Sequence, residues 1–134
     1  MKQTAVVIAP GRGTYNAPEL GYFARHHGDK PELIAAIDAY RKGLGQDTLT
    51  DLDGAARFSM SRHTRGDNAS TLIYGCALAD YMAIDRDRFD IIGVTGNSMG
   101  WYIALACAGA LDAIGGLSVV NTMGTLMQVH LIGG

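Results

Sequence analysis

The chain opens on a short run of β-branched and small residues, Thr4 to Ala9, which Pro10-Gly11 ends. A continuous apolar run of that length between turn residues predicts a fully buried strand. The following segment, PGRGTYNAPELG, is punctuated by glycine and proline and reads as loop. A helix is predicted from about Asp29. Asp29 and Glu32 have capping-box spacing, Pro31 suits a first turn, and Leu33, Ile34, Ile37, Tyr40 and Leu44 recur at helical spacing. Residues 45–67 are polar and ambiguous, with short apolar pieces and the basic stretch Arg62-His63-Thr64-Arg65. From Asn68 to Ile84 the chain is apolar on nearly every face, with Asp80 the main interruption, which predicts a helix enclosed by a larger body. Phe89 to Thr95 reads as a second buried strand. Met99 to Ala110 and Asp112 to about Gln128 read as two further apolar helices.

Buried strands separated by apolar helices predict an α/β fold, a parallel sheet flanked by helices. Two strands alone make a poor sheet, and helices apolar all round need partners on both sides. The sequence therefore reads as an incomplete domain, with the remainder in a missing C-terminal part or a second chain. Exposed apolar surface is expected wherever that remainder would pack.

Composition narrows the functional classes. Hydrophobic residues are 48% and charged residues 18%, which excludes a disordered chain. With 11 Lys+Arg against 13 Asp+Glu, the formal charge of -2 gives no electrostatic case for nucleic acid or an acidic membrane surface. Apolar runs fall short of a membrane span, and the start of the chain lacks a signal-peptide pattern, so a cytoplasmic protein is expected. Cys76 and Cys107 lie in apolar segments without metal-ligand or CxxC spacing and read as reduced core cysteines. No metal site is expected. The 18 glycines among 134 residues are nearly double the usual ~7% and mark tight turns and close backbone approaches.

Gly96-Asn97-Ser98-Met99-Gly100 is a GxSxG sequence between the predicted strand FDIIGVT and the predicted helix WYIALACAGA. That setting is what a nucleophile elbow requires. The turn puts the serine in a strained backbone conformation, and small neighbours avoid strand and helix. The hydroxyl then stands at a helix N-terminus, where backbone dipoles favour developing negative charge. Pro10-Gly11-Arg12-Gly13 after the first strand fails as a dinucleotide fingerprint, because Asn16 occupies the third glycine position. A loop there can instead present a backbone N–H to an oxyanion.

Together these segments resemble the malonyl-CoA:acyl carrier protein transacylase family, the acyltransferases of fatty-acid and polyketide synthesis. The family's opening strand and PGQG-type loop correspond to AVVIAPGRG. Its GHSLGEYxALxxAGxxD elbow corresponds to GNSMGWYIALACAGALD, and its RGxxMQ-type helix to MGTLMQ, Met123 to Gln128. The resemblance implies an α/β-hydrolase-like acyltransferase core with Ser98 as nucleophile. The backbone N–H groups of Arg12 and Met99 would form the oxyanion hole, and Asn68 and Met123 would line the substrate site. Residues 1–134 would be the N-terminal part of the domain, lacking the family's ferredoxin-like subdomain and its catalytic histidine. No bound cofactor is implied. The resemblance implies acyl-CoA as the substrate and an acyl carrier protein as the partner whose thiol would receive the acyl group.

Departures from the family pattern carry their own expectations. Arg12 replaces a glutamine, Asn97 a histidine and Trp101 a glutamate. Met123 replaces the arginine that pairs with the malonyl carboxylate in malonyl-selective members, and methionine cannot pair with a carboxylate. A neutral acyl group is expected in place of malonyl. None of His26, His27, His63 and His130 matches the family's catalytic base. His26 and His27 read as solvated residues of a polar loop beside Gly28, and His63 as surface, or as a contact for a CoA or carrier phosphate. Two other functions use the same residues: a serine esterase or thioesterase that delivers the acyl group to water, and a catalytically incomplete chain with a binding role.

Overall fold

The structure is a computed structural model and describes residues 1–130. Strands β1 (Gln3–Ala9) and β2 (Phe89–Gly96) pair in parallel, from Gln3 beside Phe89 to Ala9 beside Gly96. A register shift between Ala5 and Val6 pairs Ala5 with Ile91 and Val6 with Gly93, skipping Ile92. The parallel sheet is as the sequence predicts, but the strands are not fully buried. Val6, Ile8 and Ile92 are 56%, 70% and 65% exposed, while Ala9 is buried. The physical reason is that helix α6 (Gly100–Cys107) packs on both strands without enclosing both faces of the sheet.

Between the strands run α1 (Tyr22–His27), α2 (Pro31–Gly43), α3 (Leu49–Asp53), α4 (Met60–His63) and α5 (Gly66–Met82). Helix α2 begins at Pro31 as expected, but the capping box does not form. Lys30 takes the N-cap position without a side-chain cap bond, and Asp29 is paired with Lys30 Nζ at 3.0 Å instead. The ambiguous polar region holds two short helices. Thr48 caps α3 by accepting from the Asp51 N–H, and Ser59 caps α4 by accepting from the Arg62 N–H.

Helix α1 lies in what reads as loop, and its cap comes from 30 residues away. The Asp53 carboxylate accepts from the backbone N–H groups of Phe23 (3.2 Å) and Ala24 (3.1 Å), and from the Tyr15 hydroxyl at 2.7 Å. The orphan donors at the α1 N-terminus are thus satisfied by a buried side chain of α3.

Helix α5 is enclosed, as its all-round apolarity predicts, with Leu72, Tyr74 and Ala79 fully buried. It crosses α7 (Ala113–His130) at glycines: a Cβ on Gly66 would overlap the Gly124 carbonyl, and one on Gly124 would overlap the Gly66 carbonyl. Gln128 of α7 accepts from the Gly66 N–H at 2.9 Å, capping α5 from outside. Ile37, Leu49, Leu52, Ile103, Leu117 and Val120 complete a core between these helices.

Candidate active site

The parallel pairing puts the C-terminal ends of both strands at one edge of the molecule, where open α/β sheets hold their ligands. Ala9 and Gly96 are register partners, so the loops after them emerge side by side. The Asn97 N–H donates to the Ala9 carbonyl at 3.2 Å. Glycine is required three times in this contact. A Cβ on Gly11 would lie 2.7 Å from the Asn97 carbonyl oxygen. One on Gly100 would overlap the Ala9 carbonyl, and one on Gly96 would overlap Gly100.

Ser98 sits at the apex of the β2–α6 turn with φ of 56°, and is the non-glycine residue with positive φ among the described residues. A left-handed serine carries a steric cost of about 1–2 kcal/mol, which the glycine contacts hold in place. Its side chain is exposed, while Met99 and Gly100 behind it are buried. Met99 is the N-cap residue of α6, so the Ser98 hydroxyl stands at the positive end of that helix.

Ser98 opens on a cavity of about 270 Å³ lined by Arg12, Ser70, Met99, Tyr102, Val120, Met123, Gly124 and Met127. Four of the sequence-derived site residues, Ser98, Arg12, Met99 and Met123, therefore meet around one space. Arg12 reaches across it, Nη1 lying 3.6 Å from Met127 Sδ. Sequence reasoning missed Ser70, Tyr102, Val120, Gly124 and Met127. The signal for the α7 wall was present: residues 120, 123, 124 and 127 have the i, i+3, i+4, i+7 spacing of one helix face.

Asn68 does not belong to this group. Its carbonyl accepts from Arg41 Nη2 at 2.5 Å and its amide donates to the Arg62 carbonyl at 2.9 Å. Arg41 is fully buried and also donates to the Asp47 carbonyl, the Asp67 carbonyl and Asn121 Oδ1, at 2.8, 3.1 and 2.7 Å. Burial is the largest influence on its guanidinium and draws its pKa downward. The position expected to line the substrate site thus completes a structural network instead.

Two histidine expectations are corrected. His27 is buried in α1, not solvated in a loop. Its Nε2 lies 2.6 Å from Asp80 Oδ1 and its Nδ1 3.0 Å from Lys30 Nζ. Lysine is donor only, so Nδ1 accepts and Nε2–H donates to Asp80. The Tyr22 hydroxyl donates to the same carboxylate. Burial and that hydrogen bond push the Tyr22 phenol up to about 12. His63 is likewise buried, stacked on Phe58 with ring centroids 4.9 Å apart. Its Nε2 lies 2.8 Å from the Leu52 carbonyl, and its Nδ1 accepts from the Ser59 N–H. It is neither surface nor open to a phosphate. His26 and His130 are exposed, and none of the four histidines lines the Ser98 cavity. Cys76 and Cys107 are free thiols whose pKa burial raises, that of Cys107 to about 11.

No protein-family model matches the chain, and no curated protein does. Solved structures do. An acyl carrier protein S-malonyltransferase from Vibrio cholerae superposes with a TM-score of 0.73 at 23% identity, over 95% of this chain and 40% of that one. A second acyl-carrier-protein S-malonyltransferase, from Burkholderia pseudomallei, matches with a TM-score of 0.62 at 28% identity, over 96% and 39%. The chain has the transacylase fold. The resemblance first seen in three sequence blocks extends over nearly its whole length. It spans about two fifths of the length of these transacylases, so the two-stranded sheet is part of that fold. Among the described residues no helix is long and apolar enough to cross a membrane.

Proposed function

We propose that this chain carries the nucleophile half of an acyl transfer site that takes acyl groups from coenzyme A to an acyl carrier protein. The observation that carries the reading is Ser98, held at φ 56° between β2 and α6 at the mouth of a cavity shared with the β1 loop. The transacylase fold of the neighbours supports it.

In this reading Ser98 Oγ attacks the thioester carbonyl carbon of an acyl-CoA. The carbonyl electrons move onto oxygen, where the backbone N–H groups of Met99 and Arg12 would receive them. Collapse of the tetrahedral species breaks the carbon–sulfur bond, and the CoA sulfur leaves with the proton taken from Ser98. The carrier's thiol then attacks the acyl-serine, and the ester oxygen regains its proton. Both half-reactions need a base to move that proton. No histidine among the described residues lines the cavity, so the proposal places the base on a further segment or a second chain. The same complement would supply the small subdomain that the family resemblance implies. Met123 offers no charge to a carboxylate, and the cation of the lining, Arg12, has its Nη1 against Met127 Sδ; the reading is therefore of a site that is not malonyl-selective.

The test supplies the base chemically. The chain is incubated with an acyl-CoA in imidazole buffer, and its intact mass is followed. One acyl group should add to Ser98, hydroxylamine should remove it, and Ser98→Ala should prevent it. Addition that survives Ser98→Ala overturns the reading. Complete absence of adduct while a carrier protein still binds favours the binding role, for which the lack of a cavity histidine is the specific support. Free acid in place of acyl-carrier product would make the protein a thioesterase.

A further inference from the structure

Three of the chain's six methionines, Met99, Met123 and Met127, line the Ser98 cavity, and Val120 lies fully buried at its wall. The other three, Met1, Met60 and Met82, are exposed elsewhere. Hydroxyls in the lining belong to Ser98 itself, Tyr102 and Ser70, and that of Ser70 donates inward to the Gly66 carbonyl at 2.6 Å. Arg12 is the one charged residue of the lining, and its guanidinium meets the Met127 sulfur. Its methylene stem adds apolar surface to the wall, as long basic side chains do. Methionine is unbranched and polarizable, so a wall of three adapts to a flexible chain better than branched residues would.

We infer that the cavity takes a saturated, uncharged acyl group of medium length. The part of the cavity that this chain forms, about 270 Å³, sets the length of acyl chain that these walls cover. A dry apolar cavity of about 150 Å³ holds the six carbons of benzene, so this space accommodates roughly six to ten acyl carbons. Shorter groups leave methionine surface uncovered, and carbons beyond about ten extend past these walls and gain no further contact with them. The inference rests on the proposed acyl transfer reading and adds to it the substrate class.

Methionine methyl groups supply a direct readout. The full chain is labelled with [methyl-¹³C]methionine and titrated with acetyl-, butyryl-, octanoyl-, palmitoyl- and malonyl-CoA. Met123→Leu and Met127→Leu assign the signals. The methyls of Met99, Met123 and Met127 should shift together on octanoyl-CoA, while those of Met1, Met60 and Met82 stay in place. Affinity should rise about fourfold per methylene up to about eight to ten carbons, as the ~0.8 kcal/mol of a buried CH₂ requires, and then level off. A bulky Met123→Trp, checked for native circular dichroism, should move the optimum to shorter chains. Acetyl- or malonyl-CoA binding as tightly as octanoyl-CoA, or no response of the three cavity methyls to any ligand, overturns the inference. The Ser98 mass assay separates the two proposals. Ser98 acylation with an acetyl optimum defeats the chain-length inference alone. Cavity shifts with a medium-chain optimum but no Ser98 ester defeat the transfer reading.

Discussion

At the scale of the residue, the site is defined by a serine in a conformation serine avoids. Ser98 at φ 56° is tolerated because Gly96, Gly100 and Gly11 let two strand-end loops touch. This gives a prediction in which function and stability move separately. Ser98→Ala and Ser98→Gly both remove the hydroxyl, so neither should accept an acyl group. Alanine keeps the left-handed penalty and glycine relieves it. Ser98→Gly should therefore be more stable than Ser98→Ala by about 1 kcal/mol in urea unfolding, an estimate set by the αL cost. Equal midpoints would mean that the turn carries no strain. The GxSxG spacing made this serine legible before any coordinates, because strand, turn and helix were all written locally. Asn68 was misjudged because its partners, Arg41 and the Arg62 carbonyl, are set by tertiary packing.

At the scale of the element, long apolar segments announced themselves and short ones did not. Both strands and helices α2, α5, α6 and α7 fall within a few residues of their predicted bounds. Helix α1 escaped because its capping carboxylate, Asp53, is remote in sequence. The helices α2, α5 and α7 are joined by a residue that hydropathy places on the surface. Arg41 ends buried, with its donors on Asn68, Asn121 and two backbone carbonyls. Removing it would leave the buried acceptors on Asp67, Asn68 and Asn121 without their donor. Arg41→Ala should cost about 3–5 kcal/mol, since each buried acceptor left unsatisfied costs about 1–3 kcal/mol. Arg41→Lys should recover less than half of that, since one ammonium cannot reproduce a planar fork directed at four oxygens. Urea midpoints of the three proteins decide it. A loss below 1 kcal/mol for alanine would show that water or a neighbour replaces the guanidinium.

At the scale of the whole molecule, the sequence foretold exposed apolar surface, and Val6, Ile8 and Ile92 on the strands show it together with Trp101, Leu105 and Val129. Such surface cannot be located from composition. It depends on which face of the sheet a helix covers, and α6 covers one. Burial elsewhere has a consequence for the pH range of the fold. Desolvation is the largest cause raising the thiols of Cys76 and Cys107 and the phenols of Tyr15, Tyr22 and Tyr74, with Cys107 reaching about 11 and Tyr22 about 12. The ordinary values are 9.0 for the thiols and 10.0 for the phenols. Above those values the unfolded chain gives up protons that the folded chain keeps, so the folded state binds more protons and stability falls as pH rises. The contribution is complete below about pH 9 on the reference scale for thiols. It is lost progressively as pH climbs toward the folded values. Urea midpoints should therefore be level between pH 7 and 8.5 and decline steadily by pH 10.5, and Tyr22→Phe should show a shallower decline from a lower starting point, having lost its bond to Asp80. A midpoint unchanged at pH 10.5 would mean that these thiols and phenols ionise as freely in the folded chain as in the unfolded one.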